Sequence, residues 1–146
     1  MKKEKKTEMS IHFKEIVTFY NNFWDKEEKE NKKNIDVGWE YEQRRIHLTI
    51  FDYLKVNEKF NLLEIGCGKG DLSEKLVKKF GGIVAFDISS IGIKKTKQRI
   101  NEKNECEFLL GDATNIPFQN HKFDIVICSE VLEHIPDQEK VIQEIF

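Results

Sequence analysis

The chain has 146 residues, 39% hydrophobic and 34% charged, which fits one soluble domain with a heavily charged surface. Its 24 basic residues nearly cancel 26 acidic ones, so the net charge of −2 gives no general reason to bind nucleic acid or an anionic membrane. No apolar run approaches the length of a membrane span, and the basic N-terminus has no apolar stretch behind it to make a secretory signal. Cys67, Cys106 and Cys128 are odd in number and far apart, with no C-x-x-C pair. That pattern argues against a zinc site or a disulfide framework, and no metal is expected. Two of the three lie in apolar runs as reduced, buried thiols would, which suits a cytoplasmic protein.

Residues 1–9 read as a solvated tail. From Ile11 to Trp24 the apolar residues Phe13, Ile16, Val17, Tyr20, Phe23 and Trp24 recur at helical spacing, predicting an amphipathic helix. Asp25 to Asn34 is a mixed-charge run, an exposed loop or frayed helix. A second helix is predicted over Trp39–Leu54, with Ile46, Ile50, Tyr53 and Leu54 on one face.

The texture changes at Asn61. Residues 1–60 read as a tail and helices capping a site, and 61–146 as the domain that holds it. Strand-like runs at Leu62–Ile65, Ile83–Phe86, Glu107–Leu110 and Phe123–Cys128 alternate with helical patterns at Asp71–Phe80 and Ser90–Ile100. Alternation of this kind predicts βαβ units, a parallel sheet and an α/β doubly wound, Rossmann-like layer. The Asp71–Phe80 helix buries Leu72, Leu76 and Phe80, with Gly81-Gly82 as its C-terminal cap. Phe123–Cys128 reads as a continuously buried strand. A last helical pattern, Val141, Ile142, Ile145 and Phe146, begins at Pro136.

The strongest chemical signal is the turn Glu64-Ile65-Gly66-Cys67-Gly68-Lys69-Gly70, directly after the first strand. Glycines there permit positive φ and let a ligand approach the backbone. The dinucleotide fingerprint G-x-G-x-x-G places its third glycine one position later, which disfavours a nicotinamide-dependent dehydrogenase. An acidic residue two positions before Gly66 suits a ligand bearing an ammonium and a sulfonium better than one bearing a pyrophosphate. Lys69 lacks the Gly-Lys-Ser/Thr order of a phosphate loop. Asp87 ends the second strand about 20 residues past the turn, the usual offset for a carboxylate that binds ribose hydroxyls. Asp112, in Leu109-Leu110-Gly111-Asp112-Ala113, can accept a hydrogen bond from an exocyclic amine.

Glu-Ile-Gly-Cys-Gly-Lys-Gly, Phe-Asp-Ile, Gly-Asp-Ala-Thr-Asn-Ile-Pro-Phe and Phe-Asp-Ile-Val-Ile-Cys-Ser-Glu-Val-Leu-Glu-His-Ile stand in this order from Asn61 onward. Together they resemble the class I S-adenosylmethionine-dependent methyltransferases, especially the small-molecule group that includes quinone-biosynthesis enzymes. The resemblance implies S-adenosylmethionine as cofactor and a small-molecule methyl acceptor. It implies that Glu64, Gly66 and Gly68 hold the methionine end, with Cys67, Gly70 and Ile88 also among the cofactor contacts. Asp87 would then hold the ribose, Asp112 and Ala113 the adenine, and Ser129 and Glu130 would border the methyl-donating side.

A helical turn over Glu130–His134 would place those two side chains on one face, as an acid–base or metal-ligand pair requires. His134 and Glu130 are therefore the candidate general bases, alongside a purely structural role for His134. His12, His47 and His121 have no sequence-near partners and are assigned surface or core roles. Tyr20, Trp24, Trp39 and Tyr41 are candidates for acceptor contacts or for core packing. The resembled family completes a seven-stranded sheet, and strands five to seven are not in this sequence. The fourth strand is then an unprotected edge: either the sequence is a fragment, the gene is truncated, or a second copy or partner chain completes the sheet. The alternative is a truncated, non-catalytic S-adenosylmethionine-binding remnant.

Overall fold

The computed structural model describes residues 14–26, 37–54, 60–80, 82–100 and 106–146. Helix α1 covers 14–26. It is followed by α2 (Val37–Tyr53), β1 (Asn61–Ile65), α3 (Ser73–Leu76), β2 (Gly82–Asp87), α4 (Ser90–Arg99), β3 (Cys106–Leu110), β4 (Ile125–Cys128), a 3-10 turn (Leu132–His134) and α5 (Gln138–Ile145). All strand pairs are parallel and the order is β3-β2-β1-β4, so the α/β doubly wound reading holds. Chain order reverses at β1, whose neighbours are β2 on one side and β4 on the other.

Side chains alternate across the pleat and build a core on each face. Leu62, Ile83 and Ile127 pack with Leu72, Leu76, Phe80 and Ile100 on one side, where Ile50, Phe51 and Leu54 also rest. Leu63, Ile65, Val84 and Phe86 pack with Ala113 and with Val141 of α5 on the other. His47 on α2 is buried in the first layer and lies 2.7 Å through Nδ1 from Lys75 Nζ. Burial and the neighbouring Lys75 charge both push its pKa down, keeping the imidazole neutral.

Several expectations need correction. The Asp71–Phe80 helix is regular only over Ser73–Leu76, because bonds from Lys75 N–H to Leu72 C=O and from Lys79 N–H to Leu76 C=O wind both ends more tightly. Leu72, Leu76 and Phe80 are buried as expected. Gly82 is not a cap: it opens β2 opposite Asn61, and Gly81 lies outside the described residues.

The fourth strand starts at Ile125 and only Ile127 is fully buried, since β1 is its one neighbour in the described sheet. Phe123 turns aside to an edge-to-face contact with Phe118, at 4.9 Å between ring centroids. Phe23 on α1 and Tyr53 on α2 are exposed, because each sits outside the stripe that meets the core. Ile142 and Phe146 are exposed too, and Val141 alone of α5 is buried completely. Cys67 is buried, whereas Cys106 and Cys128 are half-buried, and all three are free. Phe13 and the tail lie outside the described residues.

Leu76 has no exposed surface and is enclosed by one core layer, whereas Leu48 on α2 is 55% exposed. Leu76→Ala is expected to cost about 2–5 kcal/mol in denaturant unfolding. Leu48→Ala should stay within about 0.5 kcal/mol of wild type.

Candidate functional site

A cavity of about 540 Å³ opens at the carboxyl ends of all four strands. Ile65 and Gly66 reach it from β1, Phe86 and Asp87 from β2, Gly111 and Asp112 from beyond β3, and Glu130 and Val131 from beyond β4. This is the crevice beside a reversal of strand order where open α/β sheets bind ligands. Ile16, Tyr20 and Trp24 of α1 form a further wall.

The glycine turn is built by backbone geometry. Gly66, Gly68 and Gly70 have φ of 79°, 52° and 85°, a left-handed region that costs other residues about 1–2 kcal/mol each. At Gly66 a side chain is excluded sterically as well, since a Cβ would lie 2.1 Å from Val131 Cγ2. The turn is tied to β2: the N–H groups of Gly66 and Cys67 both donate to Phe86 C=O, at 2.8 and 3.1 Å.

Asp87 completes that junction. Its Oδ2 accepts from Gly68 N–H at 2.8 Å and its Oδ1 from Ser89 N–H at 2.7 Å. Burial raises its pKa, while backbone donors from Ser89, Gly68 and Ile88 pull in the opposite direction. Asp112 accepts through Oδ1 from Thr114 N–H at 2.9 Å, which shapes the turn after β3.

The structure gathers Gly66, Gly68, Asp87, Ile88, Asp112, Ala113, Glu130 and His134 around the cavity. Glu64, Cys67, Gly70 and Ser129 are not among its lining residues. Glu64 points to the α3 side of β1, is 3% exposed, and accepts a hydrogen bond from Ser73 Oγ. Burial pushes its pKa up to about 7 against that single hydrogen bond. Cys67 is held above the normal thiol range by burial and by the Asp87 and Glu64 charges, so it is an inert thiol.

Glu130 and His134 do not share a helical face. Glu130 is in the left-handed region at φ 57°, and the helical turn that follows begins only at Leu132. Ile135 precedes Pro136 and is extended (φ −109°, ψ 123°), as a residue before proline prefers, so the turn stops after His134. Both side chains nevertheless line the cavity by way of the loop. His134 has Glu133 at 3.8 Å and the Tyr20 ring edge-on at 6.0 Å between centroids. Burial, and then the charges of Asp87 and Glu133, raise the Tyr20 pKa and keep the phenol protonated.

Of the aromatics expected near an acceptor, Tyr20 and Trp24 line the cavity and Tyr41 is exposed. The Trp39 side chain lies outside the described residues. Val131, Thr114 and Asn115, inside the quoted motifs but given no role there, also line the cavity, as do Asp137 and Lys140, which no motif marked. Their position in or beyond the loops leaving β3 and β4 is the signal that could have found them.

Glu64 offers a direct test of this electrostatic picture. Its folded pKa, about 7, lies above the ordinary 4.5, so its protonated form is favoured in the fold. Stability from this group is full below about pH 4.5 and is lost as pH rises through 7. Glu64→Gln, measured by denaturant unfolding from pH 4 to 8, should remove that loss, a difference of about 3 kcal/mol at pH 8.

A family profile described as "Methyltransferase domain" matches residues 63–146. Norajmaline N-methyltransferase of Rauvolfia serpentina is 37% identical over 91 residues, 58% of this chain and 30% of that protein. The ubiquinone biosynthesis O-methyltransferase of Coxiella burnetii is 35% identical over 57% of this chain and 36% of its own length. The chain thus spans about a third of the length of these curated relatives. Phosphoethanolamine N-methyltransferase 1 of Haemonchus contortus, solved with phosphoethanolamine and S-adenosylhomocysteine, shares the fold at a TM-score of 0.71 and 19% identity. The match covers 89% of this chain and 28% of that one. The magnesium protoporphyrin IX methyltransferase of Synechocystis PCC 6803, solved with S-adenosylhomocysteine, has a TM-score of 0.68 at 18% identity, covering 88% of this chain and 64% of the other. The strand order, the glycine turn at the reversal point and the profile match agree, and the chain belongs to the methyltransferase-domain family.

Proposed function

We propose that the cavity binds S-adenosylmethionine and that the protein transfers its methyl group to a small-molecule acceptor. The observation that carries this reading is the junction of the glycine turn with Asp87, where Gly68 N–H meets the carboxylate at the reversal of strand order. The cavity volume falls within the range of about 300–1,000 Å³ typical of small-molecule sites. Bare backbone at Gly66 and Gly68 suits the methionine end, and Asp87 with Ile88 suits the ribose. Asp112 and Ala113 suit the adenine, while Glu64 is bonded to Ser73 outside the cavity lining. Ser129 and Glu130 follow β4 on the methyl-donating side.

Bound S-adenosylmethionine supplies a methyl group activated by a sulfonium. The chain's own task is alignment, which can supply about 7–11 kcal/mol in favourable cases without a dedicated acid or base. An acceptor that must lose a proton needs a base, and His134 and Glu130 are the cavity-lining groups assigned to that role. Residues 1–60 act in this reading as the cap and 61–146 as the cofactor-binding layer. Among the described residues no helix is long and apolar enough to cross a membrane. With free cysteines throughout, we assign the protein to the cytoplasm. Among the described residues β4 is paired on one side only, and we propose that its other side takes a further strand.

Titration calorimetry should show binding of S-adenosylmethionine, weakened about 10- to 100-fold by Asp87→Ala through loss of charged hydrogen bonds. Tight NADH binding with no affinity for S-adenosylmethionine would overturn the assignment. Binding without turnover across hydroxyl, amine and thiol acceptors would instead mark a non-catalytic binding module. For a hydroxyl acceptor, His134→Gln should lower kcat by about 10²–10⁴-fold. Unchanged turnover and pH profile would remove His134 from the mechanism.

A further inference from the structure

Helix α1 presents a half-buried stripe: Ile16, Val17, Tyr20, Asn21, Trp24 and Asp25. Their spacing is that of a core-facing helix, yet a carboxamide stands in the middle of it. The structure accounts for that choice. Asn21 Oδ1 accepts a hydrogen bond from Ser89 Oγ at 2.7 Å, with Ile91 N–H at 3.4 Å and Ser90 Oγ at 3.5 Å. Ser89 is fully buried and caps α4, its Oγ accepting from Gly92 N–H at 3.1 Å. An apolar residue at position 21 would leave the Ser89 hydroxyl proton without that acceptor in a place closed to water.

The contact reaches further than α4. Ser89 N–H donates to Asp87 Oδ1, and the other oxygen of Asp87 holds Gly68 N–H. One hydrogen-bonded chain therefore runs from the glycine turn through Asp87 and Ser89 to Asn21. Beyond Asn21, Lys95 Nζ donates to the Trp24 carbonyl, near the end of the same helix. Held by these two ties, α1 sets Tyr20 and Trp24 into the cavity wall. The Trp24 indole lies so close to the turn that a Cβ on Gly68 would fall 2.7 Å from its Cζ2.

We infer that Asn21 is a positioning residue: by accepting from Ser89 it docks α1 against the turn that carries Asp87, and thereby sets the affinity of the cavity for its ligand. The second half of this inference rests on the reading that the ligand is S-adenosylmethionine. Asn21 itself does not line the cavity, so it acts through Ser89 and through the placement of Tyr20 and Trp24.

The test is a double-mutant cycle of Asn21→Leu and Ser89→Ala, read by amide hydrogen exchange and by calorimetry with S-adenosylmethionine. Each single variant should speed exchange across residues 14–26 about tenfold, and the double variant no more than the faster single. Affinity should fall about tenfold in Asn21→Leu, and in the double variant no further than in Ser89→Ala, which also loses the α4 cap. Amides of the four strands report folding, and Asn21→Ala repeats the test with a smaller side chain should Asn21→Leu disturb them. Additive effects, unchanged exchange in α1, or faster exchange with unchanged affinity would each overturn the inference. Should wild type show no affinity for S-adenosylmethionine, the proposed function fails, while the exchange cycle still decides whether Asn21 docks α1.

Discussion

Asp87 stands at the carboxyl end of β2 with each carboxylate oxygen already engaged by a backbone N–H, one from the glycine turn and one from the start of the α4 segment. A carboxylate buried this far is costly unless donors surround it, so the turn, the strand end and the helix start must keep their positions together. The same residue uses its backbone: its carbonyl accepts from Gly111 N–H at 2.9 Å, which brings the loop after β3 to the cavity. Three of the segments that frame the site thus meet at one amino acid. The fourth, after β4, meets the turn through Val131, packed against Gly66.

This arrangement explains why the turn needs glycine for two separate reasons. Positive φ is a backbone requirement, shared by Gly66, Gly68 and Gly70. The second reason is space, and it differs by position. Val131 fills it at Gly66, the Trp24 ring at Gly68 and Thr96 of α4 at Gly70. Each glycine is thus a contact point between β1 and a different neighbour, from beyond β4, from α1 and from α4. A side chain at any of the three would push apart elements that the cavity needs together.

Much of this was legible in the sequence because it depends on local rules. Short apolar runs between helical patterns fix a parallel sheet, and G-x-G-x-G after a strand fixes where its ligand crevice lies. What was not legible depends on tertiary neighbours. Periodicity put Phe23 and Tyr53 on buried faces, but nothing in it says which side of a short helix finds the sheet. Glu130 and His134 have helical spacing, and the pre-proline Ile135 together with a left-handed Glu130 override it. Glu64 matched the expected motif position, yet the pleat turns its side chain toward Ser73 and away from the cavity lining. Asn21 carried no motif at all, since its meaning lies in a serine 68 residues away.

The two buried acids of the site show how alike residues come to do different work. Glu64 and Asp87 lie on adjacent parallel strands, and burial raises the pKa of both. Among the described residues Glu64 accepts from Ser73, and its side chain lies outside the cavity lining. Asp87 faces the cavity with backbone donors already arranged for its ionised form. Ligand hydroxyls donating to it would add to those donors and favour the carboxylate further, just as the carboxylate favours the ligand. Burial alone would make Asp87 a liability. Under the proposed function, burial beside a ligand that brings its own donors would make it the residue through which a ribose-bearing ligand and the surrounding fold stabilise one another.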